Sequence, residues 1–293
     1  MAKKNKAPLI FFIVTTVIGA GIMLYPTIRQ RISSGEQWTH IETYHQELAQ
    51  YTDYRIQEIL SEAHRFNQMI SPTTFRDLEE EYFNMLRVGH TDVIGHIEIP
   101  NIDVNLPIFH GTSHDVLQAG VGHLEGRALP IGGEGTHTAL SAHRGLPSAL
   151  LFTRLDEMEI GDFFIIRVLN ETLIYEVDQI EEVLPDDSSL LAPESGRDLA
   201  TLVTCTPYGI NSHRLLVRGS RLDVYYEDLF PAIPLGDVVD WESDSITLPV
   251  QSQVLLASAA LAFIIKIILE IRQKRLRKLY LKSNSNIGRS KLA

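Results

Sequence analysis

Between residues 93 and 217 the sequence is a succession of short apolar and β-branched runs, and this pattern restricts the possible folds more than any other feature. Glycine, proline, aspartate and asparagine separate the runs, as expected for turns between strands. The runs that we predict to be strands include residues 97–99, 104–106, 163–168, 173–177, 201–205 and 214–217. Because these strands do not alternate with helices, the pattern predicts a mainly β fold that closes into a barrel.

Cys205 is the single cysteine in the 293 residues, so it cannot form an intramolecular disulfide. It ends the β-branched run that begins at Thr201, and Thr206-Pro207 then turns the chain. A side chain at the end of a strand can project into a cleft, where a thiol can act as a nucleophile. A lone cysteine is nevertheless more often a small buried apolar residue, so a structural cysteine is the alternative.

Two other polar side chains are predicted to lie near this thiol. Arg214 begins the next strand nine residues later, and an antiparallel hairpin would bring it back beside Cys205. Its guanidinium is permanently charged and donates through a rigid fork, which suits a developing oxyanion. His143 ends another strand-like run, and it could favour the thiolate and act as a general acid. His123 is an equally good partner by sequence alone.

Three segments carry a resemblance to a known family. They are Thr201-Leu-Val-Thr-Cys-Thr-Pro207, Arg214-Leu-Leu-Val-Arg-Gly219 and Ala142-His-Arg-Gly145. Together they resemble the sortases, and Leu106-Pro-Ile-Phe-His-Gly111 resembles the pilus-assembling class C members in particular. The resemblance extends from about residue 44 to residue 226 and into the C-terminal apolar segment. It implies a sortase-type eight-stranded β-barrel, and it selects His143 over His123.

The resemblance also implies a cysteine transpeptidase. The thiolate of Cys205 would attack the Thr-Gly carbonyl of a Leu-Pro-x-Thr-Gly-type sorting signal, and His143 would protonate the leaving amine. Arg214 would stabilise the oxyanion or position the substrate backbone. The partners would be pilin subunits with sorting signals, and the acceptor would be a lysine amine of another pilin. We identify no motif for a metal or a cofactor.

Two other functions stay open. The first is a housekeeping sortase that joins surface proteins to the cell-wall precursor. A second anchor and long N-terminal helices argue against it. The second is a non-enzymatic surface binding protein, in which Cys205 would be structural and its alkylation would be harmless.

Residues 32–90 are predicted to form a helical hairpin in front of the barrel. Apolar residues recur at three- and four-residue steps from Glu36 to Phe66, which is typical of an amphipathic helix. After a break, Thr74 and Asp77 form a predicted capping box for a second helix. In class C sortases the segment between such helices carries a lid with an Asp-Pro-aromatic motif. The lid-like segment here is Ser71-Pro72-Thr73, which lacks the acid and the ring.

Apolar segments flank these regions. Residues 9–25 are apolar and follow three lysines, which fits either a cleaved signal peptide or a membrane anchor. We favour an uncleaved anchor, because apolar residues continue beyond the small residues that a cleavage site would use. Residues 250–271 form a second predicted transmembrane helix, and the dense basic cluster after it marks the cytoplasmic side.

The predicted architecture therefore has seven parts. They are a cytoplasmic tail (1–8), an N-terminal anchor (9–25), the helical region (32–90), the catalytic barrel (91–226), a linker (227–249), a C-terminal transmembrane helix (250–271) and a basic cytoplasmic tail (272–293). The catalytic domain would lie outside the cell membrane, with both termini in the cytoplasm.

Charge is distributed unevenly along the chain. Residues 32–248 contain 36 acidic and 12 basic side chains, a net charge of −24, whereas the flanks carry 14 basic residues and one acidic residue. An acidic catalytic region argues against a nucleic-acid partner, and basic ends beside apolar segments argue for a membrane. All eight lysines lie in the flanks, and the twelve basic residues between the flanks are arginines.

Overall fold

The computed structural model describes residues 7–224. The predicted linker (227–249), C-terminal helix (250–271) and basic tail (272–293) lie outside the described residues. The described helices are α1 (Ala7–Leu48), α2 (Asp53–Met69), α3 (Phe75–Tyr82) and α4 (His114–Ala119). The strands are β1 (Val93–Ile99), β2 (Val104–His110), β3 (Val121–His123), β4 (Thr136–Ser141), β5 (Phe163–Val168), β6 (Glu171–Val183), β7 (Asp198–Thr206) and β8 (His213–Arg221). Short 3₁₀ turns occupy Pro100–Ile102, Leu155–Glu157 and Ser189–Leu191.

The strands form one closed barrel in the order β1-β2-β3-β4-β7-β8-β6-β5. Two neighbouring pairs are parallel, β2 with β3 and β4 with β7, and the other pairs are antiparallel. Pairing of β1 with β5 closes the sheet, which removes the exposed edges that an open sheet would present. The predicted eight-stranded barrel is confirmed.

The side chains of β7 alternate between the barrel interior and the outer face of the sheet. Ala200 and Leu202 belong to the main apolar core, whereas Val203 belongs to a smaller apolar cluster. Successive side chains of a strand point to opposite faces, so Cys205 shares its face with Val203. The core therefore lies on one side of β7, and the thiol lies on the other.

The helical region packs on the barrel through α1. Ile41, Tyr44 and Leu48 are buried, and the Tyr44 hydroxyl accepts a hydrogen bond from the Leu169 backbone N–H at 2.8 Å. Helix α1 is continuous through the predicted anchor segment at residues 9–25. Within the described residues, no helix is both long enough and apolar enough to cross a membrane. The two anchors stay predictions.

The prediction of one helix from Glu36 to Phe66 is wrong. Helix α1 ends at Leu48, and α2 begins at Asp53. Thr52 is the N-cap of α2, and its hydroxyl accepts a hydrogen bond from the Arg55 backbone N–H at 3.3 Å. The apolar spacing continues across the break, but a threonine cap supplies a local alternative to further helix.

Several histidines lie at the interface between the helices and the barrel, and His96 and His123 are buried. The rings of His45 and His96 are 5.1 Å apart, and the Tyr82 hydroxyl lies 2.8 Å from Nδ1 of His123. Burial lowers the pKa of His123 to about 4. Burial also lowers the pKa of His110, which packs against Tyr82, to about 3. These histidines therefore stay neutral in the folded protein at mildly acidic pH.

We expect the free energy of unfolding to fall as the pH is lowered from about 6.5 towards 4. An unfolded histidine binds a proton near pH 6.5, whereas the folded protein protonates His123 only near pH 4. In this window the unfolded state binds more protons, so acid favours unfolding. Denaturant titrations at several pH values measure the dependence. His110→Phe should reduce it, whereas replacement of the exposed His90 by glutamine should not, and equal slopes in all three proteins would contradict the assignment.

Candidate active site

Cys205 and Arg214 lie directly opposite each other in the β7–β8 pair. Opposite residues of an antiparallel pair project to the same face, with Cβ atoms about 4.5–5.5 Å apart. Cys205 is half-buried and its thiol is free. The predicted hairpin is confirmed, and its register places Cys205 and Arg214 on the same face at one end of the barrel.

The Arg214 guanidinium is oriented by the turn between β7 and β8. Its Nη1 donates hydrogen bonds to the carbonyl oxygens of His213, at 3.1 Å, and Asn211, at 3.4 Å. Within residues 7–224 it forms no ion pair with a carboxylate, whereas Arg167 and Arg218 do. Its positive charge is therefore available to negative charge that develops on a substrate.

His143 reaches the same mouth from β4, which runs parallel to β7. The pairing of the two chains continues past the end of β4. The Ala142 N–H donates to the Val203 carbonyl oxygen at 3.2 Å, and the Thr204 hydroxyl donates to the Ala142 carbonyl oxygen at 2.8 Å. One residue further along each chain, His143 is level with Cys205. The strand register thus places the three site residues that the sequence predicted at matching positions on three adjacent chain segments.

Two effects lower the pKa of His143 below its ordinary value. Burial contributes most, and the charge of His114 adds to it. The neutral imidazole is therefore favoured at neutral pH, and this form can accept a proton from a thiol or an amine. A hydrogen bond of 3.1 Å from the Phe152 N–H to the His143 carbonyl oxygen holds the following loop close to the histidine.

His123, the alternative partner, has a structural environment. It is fully buried in β3, and its Nε2 lies 2.8 Å from the Ala128 carbonyl oxygen. Its Nδ1 lies 2.8 Å from the Tyr82 hydroxyl, which docks α3 on the barrel. Both ring nitrogens are therefore occupied. The structure favours His143 over His123, as the resemblance does.

Arg144 lies at the site but was not assigned a role by the sequence analysis. Its side chain is only 8% exposed, and its Nη2 lies 2.5 Å from Oδ2 of Asp156. Its Nη1 donates to the hydroxyl of Thr206 at 3.3 Å. The Ala-His-Arg-Gly segment contains this arginine, but Asp156 lies in a separate turn that carries no recognisable motif.

An apolar floor adjoins Cys205 on the outer face of the sheet. Its buried members are Ala139, Leu191, Val203 and Leu216, and Leu124, Val183 and Leu190 pack against them. The turn Ser189–Leu191 supplies two of these leucines, and Arg127 Nη1 holds the turn through a 2.9 Å hydrogen bond to the Leu191 carbonyl oxygen. The floor is therefore an apolar surface on the same face of β7 as Cys205.

Ion pairs fasten the segment between β6 and β7 to β8. Arg218 Nε lies 2.9 Å from Oδ1 of Asp178, and its Nη1 lies 2.9 Å from Oε1 of Glu194. Arg197 Nη1 lies 2.6 Å from the other oxygen of Glu194.

In the described part of the chain, no group of three or more histidine, cysteine, aspartate or glutamate side chains could hold a metal ion.

The lid-like segment Ser71-Pro72-Thr73 lies against the loop that follows β3. A Cβ built on Gly126 would lie 3.0 Å from Pro72 Cα, and Gly126 has a φ of +75°, so glycine is favoured for two reasons. The predicted capping box is wrong, because Thr74 forms no side-chain cap. Its hydroxyl instead donates to the Met69 carbonyl oxygen at 2.9 Å and accepts from the Ser71 N–H at 2.8 Å, which closes the turn.

We expect this lid-like segment to leave Cys205 open to small reagents, because it carries neither an acid nor a ring. Replacing Ser71-Pro72-Thr73 with Gly-Ser-Gly should leave the rate of alkylation by iodoacetamide unchanged. The matched variant S71D/T73F, which restores Asp-Pro-aromatic, should slow the reaction. A marked acceleration in the Gly-Ser-Gly variant would show that the native segment occludes the thiol.

Fold and site together define a class of protein, the barrel-type cysteine transpeptidases, in which a strand-end thiol lies between a histidine and an arginine from the neighbouring strands. The chain belongs to the sortase family, whose members are cysteine transpeptidases. The family model described as "Sortase domain" matches residues 97–222. The chain is 32% identical to sortase D of Bacillus subtilis over 131 residues, and 32% identical to sortase A of Streptococcus agalactiae over 117 residues. These matches cover 44% and 39% of this chain, and 63% and 47% of the two relatives.

Solved structures place the chain with class C sortases. Sortase C1 of Streptococcus agalactiae is 43% identical with a TM-score of 0.61, and the match covers 63% of this chain and 98% of that one. Sortase C of Streptococcus pneumoniae is 48% identical with a TM-score of 0.59, and the match covers 63% and 96%. A pilus-related sortase C of Group B Streptococcus is 41% identical with a TM-score of 0.58, over 63% and 96%.

Proposed function

We propose that this protein is a membrane-anchored transpeptidase that joins pilin subunits into a covalent pilus. The observation that carries the proposal is the convergence of Cys205, Arg214 and His143 at one mouth of the barrel. Cys205 and Arg214 are a register pair, and His143 is level with the thiol on the other neighbouring strand. A nucleophile, a fixed cation and a proton carrier are the groups that acyl transfer needs.

In the first half-reaction, the Cys205 sulfur attacks the Thr-Gly carbonyl carbon of a Leu-Pro-x-Thr-Gly-type sorting signal. Arg214 stabilises the oxyanion, because its charge is not neutralised by a carboxylate within the described residues. His143 takes the thiol proton of Cys205 as the sulfur attacks, the carbon–nitrogen bond then breaks, and His143 gives that proton to the leaving glycine amine. The acyl group is left on Cys205 as a thioester.

In the second half-reaction, a lysine amine of another pilin attacks the thioester carbon. His143 accepts the proton of the amine, the carbon–sulfur bond breaks, and an isopeptide bond forms. The lowered pKa of His143 fits this role, because a neutral imidazole must be present to accept that proton.

The apolar floor supports a peptide substrate with leucine and proline ahead of the scissile bond. Val203 is two residues from Cys205 on the same face, and Leu216 is two residues from Arg214. An extended peptide that places its carbonyl at Cys205 would lay its preceding apolar side chains on this floor.

The proposed location is the outer face of the cell membrane, with anchors at residues 9–25 and 250–271 and both termini in the cytoplasm. Two features support it. The N-terminal part of α1 exposes Ile22, Met23 and Ile28 to solvent. The basic cluster at residues 272–278 has the composition of a cytoplasmic flank.

The test is a mass measurement on the full chain in detergent. Incubation with a Leu-Pro-x-Thr-Gly peptide should add the acyl fragment to Cys205 as an adduct that hydroxylamine removes. A lysine-bearing pilin peptide should then accept the acyl group. Acceptance by a cell-wall precursor amine, but not by lysine, would instead indicate a housekeeping sortase. The absence of any adduct on Cys205 would refute transpeptidation.

A further inference from the structure

We propose that Arg144 is a positioning residue that fixes His143 relative to Cys205. Arg144 directly follows the histidine, and its guanidinium contacts segments on both sides of the site. Nη2 lies 2.5 Å from Oδ2 of Asp156, and Nη1 donates to the hydroxyl of Thr206 at 3.3 Å. Thr206 is the residue after Cys205. One side chain therefore connects the chain segment that carries the imidazole to the strand that carries the thiol.

The surroundings of the guanidinium make this connection stiff. The Arg144 side chain is 8% exposed and therefore closely surrounded by protein, whereas its partner Asp156 is 48% exposed. The Thr206 hydroxyl donates onward to Oε1 of Glu182 at 3.2 Å, so a lone pair of that oxygen faces Arg144. The Tyr208 ring lies over the guanidinium, 6.0 Å from ring centroid to Cζ. The cation is thus fixed on three sides.

One contact of this arginine is unfavourable for stability. Its Nε–H is buried and has no hydrogen-bond partner within the described residues. A buried donor without a partner destabilises a fold. The guanidinium is a rigid fork that reaches Asp156 and Thr206 together, and a lysine ammonium cannot reproduce this geometry. A misplacement of about 1 Å at a reacting group can cost on the order of 10²-fold in rate, so a residue that prevents such movement has a large effect.

The inference rests on the proposed function, in which His143 exchanges a proton with Cys205. The test measures the reactivity of the Cys205 thiol and needs no sorting-signal peptide. The rate of Cys205 alkylation by iodoacetamide is measured from pH 5 to pH 9 on the full chain in detergent. The proteins are wild type, Arg144→Lys, His143→Ala and the double variant. The matched control is Arg154→Gln, an exposed arginine of the neighbouring turn that pairs with Glu157 and Asp103.

We expect Arg144→Lys to move the pH–rate profile towards that of His143→Ala, and to slow alkylation at neutral pH by about tenfold, within the range that misplacement produces. In the His143→Ala background the same substitution should have no further effect, because there is no imidazole left to position. Arg154→Gln should leave the profile unchanged. An equal effect of Arg144→Lys in both backgrounds, or a lowered melting temperature with an unchanged profile, would overturn the proposal.

If Arg144→Lys fails to fold, the same measurements are made with Asp156→Asn, alone and combined with His143→Ala. It removes one contact of the guanidinium, and the Asp156 side chain is 48% exposed, so a folded protein is expected. A smaller shift of the profile in the same direction would support the proposal, and no shift would overturn it. If the protein fails to transfer the acyl group while His143→Ala still changes the alkylation profile, that result would count against the proposed function and leave this inference standing.

The distribution of lysine carries a second, independent inference. Residues 32–248 contain twelve arginines and no lysine, although the flanks contain eight lysines. We infer that the catalytic region excludes lysine because its own amines would intercept the thioester on Cys205. In that step the amine nitrogen bonds to the thioester carbon, the carbon–sulfur bond breaks, and the amine proton passes through His143 to the thiolate. The enzyme is left with an isopeptide on itself.

Intramolecular attack makes this side reaction fast, because a tethered amine has a high effective concentration. Arginine keeps the positive charge without this risk, since its guanidinium stays protonated and is not a nucleophile. Arg144 and Arg127 are buried or half-buried and bonded, so an exposed position beside the site gives the sharper test. Ile210 is 72% exposed in the turn that follows β7.

The experiment compares Ile210→Lys with Tyr54→Lys, whose side chain would be exposed on α2, away from the β7–β8 turn. Each protein is incubated with the sorting-signal peptide, and its intact mass is recorded before and after hydroxylamine. This inference rests on the proposed function, and a hydroxylamine-sensitive adduct on Cys205 shows in the same spectrum that thioester formation works. A resistant adduct at residue 210 and none at residue 54 is expected. Resistant adducts at neither position, or equally at both, would overturn the inference.

Discussion

Replacing Cys205 with alanine is expected to abolish both the thioester adduct and the isopeptide product. Cys205 is the single thiol of the chain, so no other sulfur can take over the nucleophilic step. Loss of a nucleophile that acts together with a base can cost more than about 10⁴-fold in rate, which is effectively complete in a product assay. The product is measured by mass spectrometry after incubation with the sorting-signal peptide and a lysine acceptor.

The fold should survive this substitution. Cys205 is half-buried at the end of a strand, and its face adjoins solvent rather than the main core. Truncation of the thiol therefore leaves no large cavity. An unchanged melting temperature in Cys205→Ala is the control. Product formation at more than a trace level by the folded variant would exclude the thiol as nucleophile. Cys205 would then be a structural cysteine, the alternative that the sequence leaves open.

The barrel and the reactive residues could be predicted because their signals are local. A β-branched run that ends in Cys205, and a strand that starts at Arg214, define a hairpin by short-range rules. The parallel pairing of β4 with β7 joins segments about sixty residues apart, and no local rule gives it. The resemblance supplied what the local rules could not, namely the choice of His143 over His123 as the partner of the thiol.

The features that sequence reasoning missed depend on contacts that no short motif encodes. The apolar spacing continues across Thr52 and therefore does not predict the break between α1 and α2. An N-cap at Thr52 and a continued helix differ only slightly in free energy. The spacing of Thr74 and Asp77 predicts a capping box, but the Thr74 hydroxyl closes the preceding turn instead. The ion pair of Arg144 with Asp156 exists because two loops meet at the barrel mouth. Tertiary structure decided all three.

Arg214→Ala is expected to lower the rate of thioester formation by about 10²–10³-fold, the usual cost of losing one oxyanion donor. The guanidinium lies opposite Cys205 and is oriented by the carbonyl oxygens of the turn, so its charge is already in place when the oxyanion forms. The loss should appear in kcat and in kcat/KM, because the charge that Arg214 stabilises exists only in the transition state.

Two variants make the interpretation specific. Arg214→Lys keeps the charge but lacks the fork, so we expect it to recover part of the lost rate and to remain below wild type. Arg221→Ala is the matched control, because Arg221 lies at the other end of β8, where its guanidinium packs over the Tyr175 ring. That variant should retain the wild-type rate of acyl transfer. If Arg214→Ala also retains it, the arginine opposite the thiol has no part in the chemistry, and the oxyanion must be stabilised by backbone N–H groups near Cys205 instead.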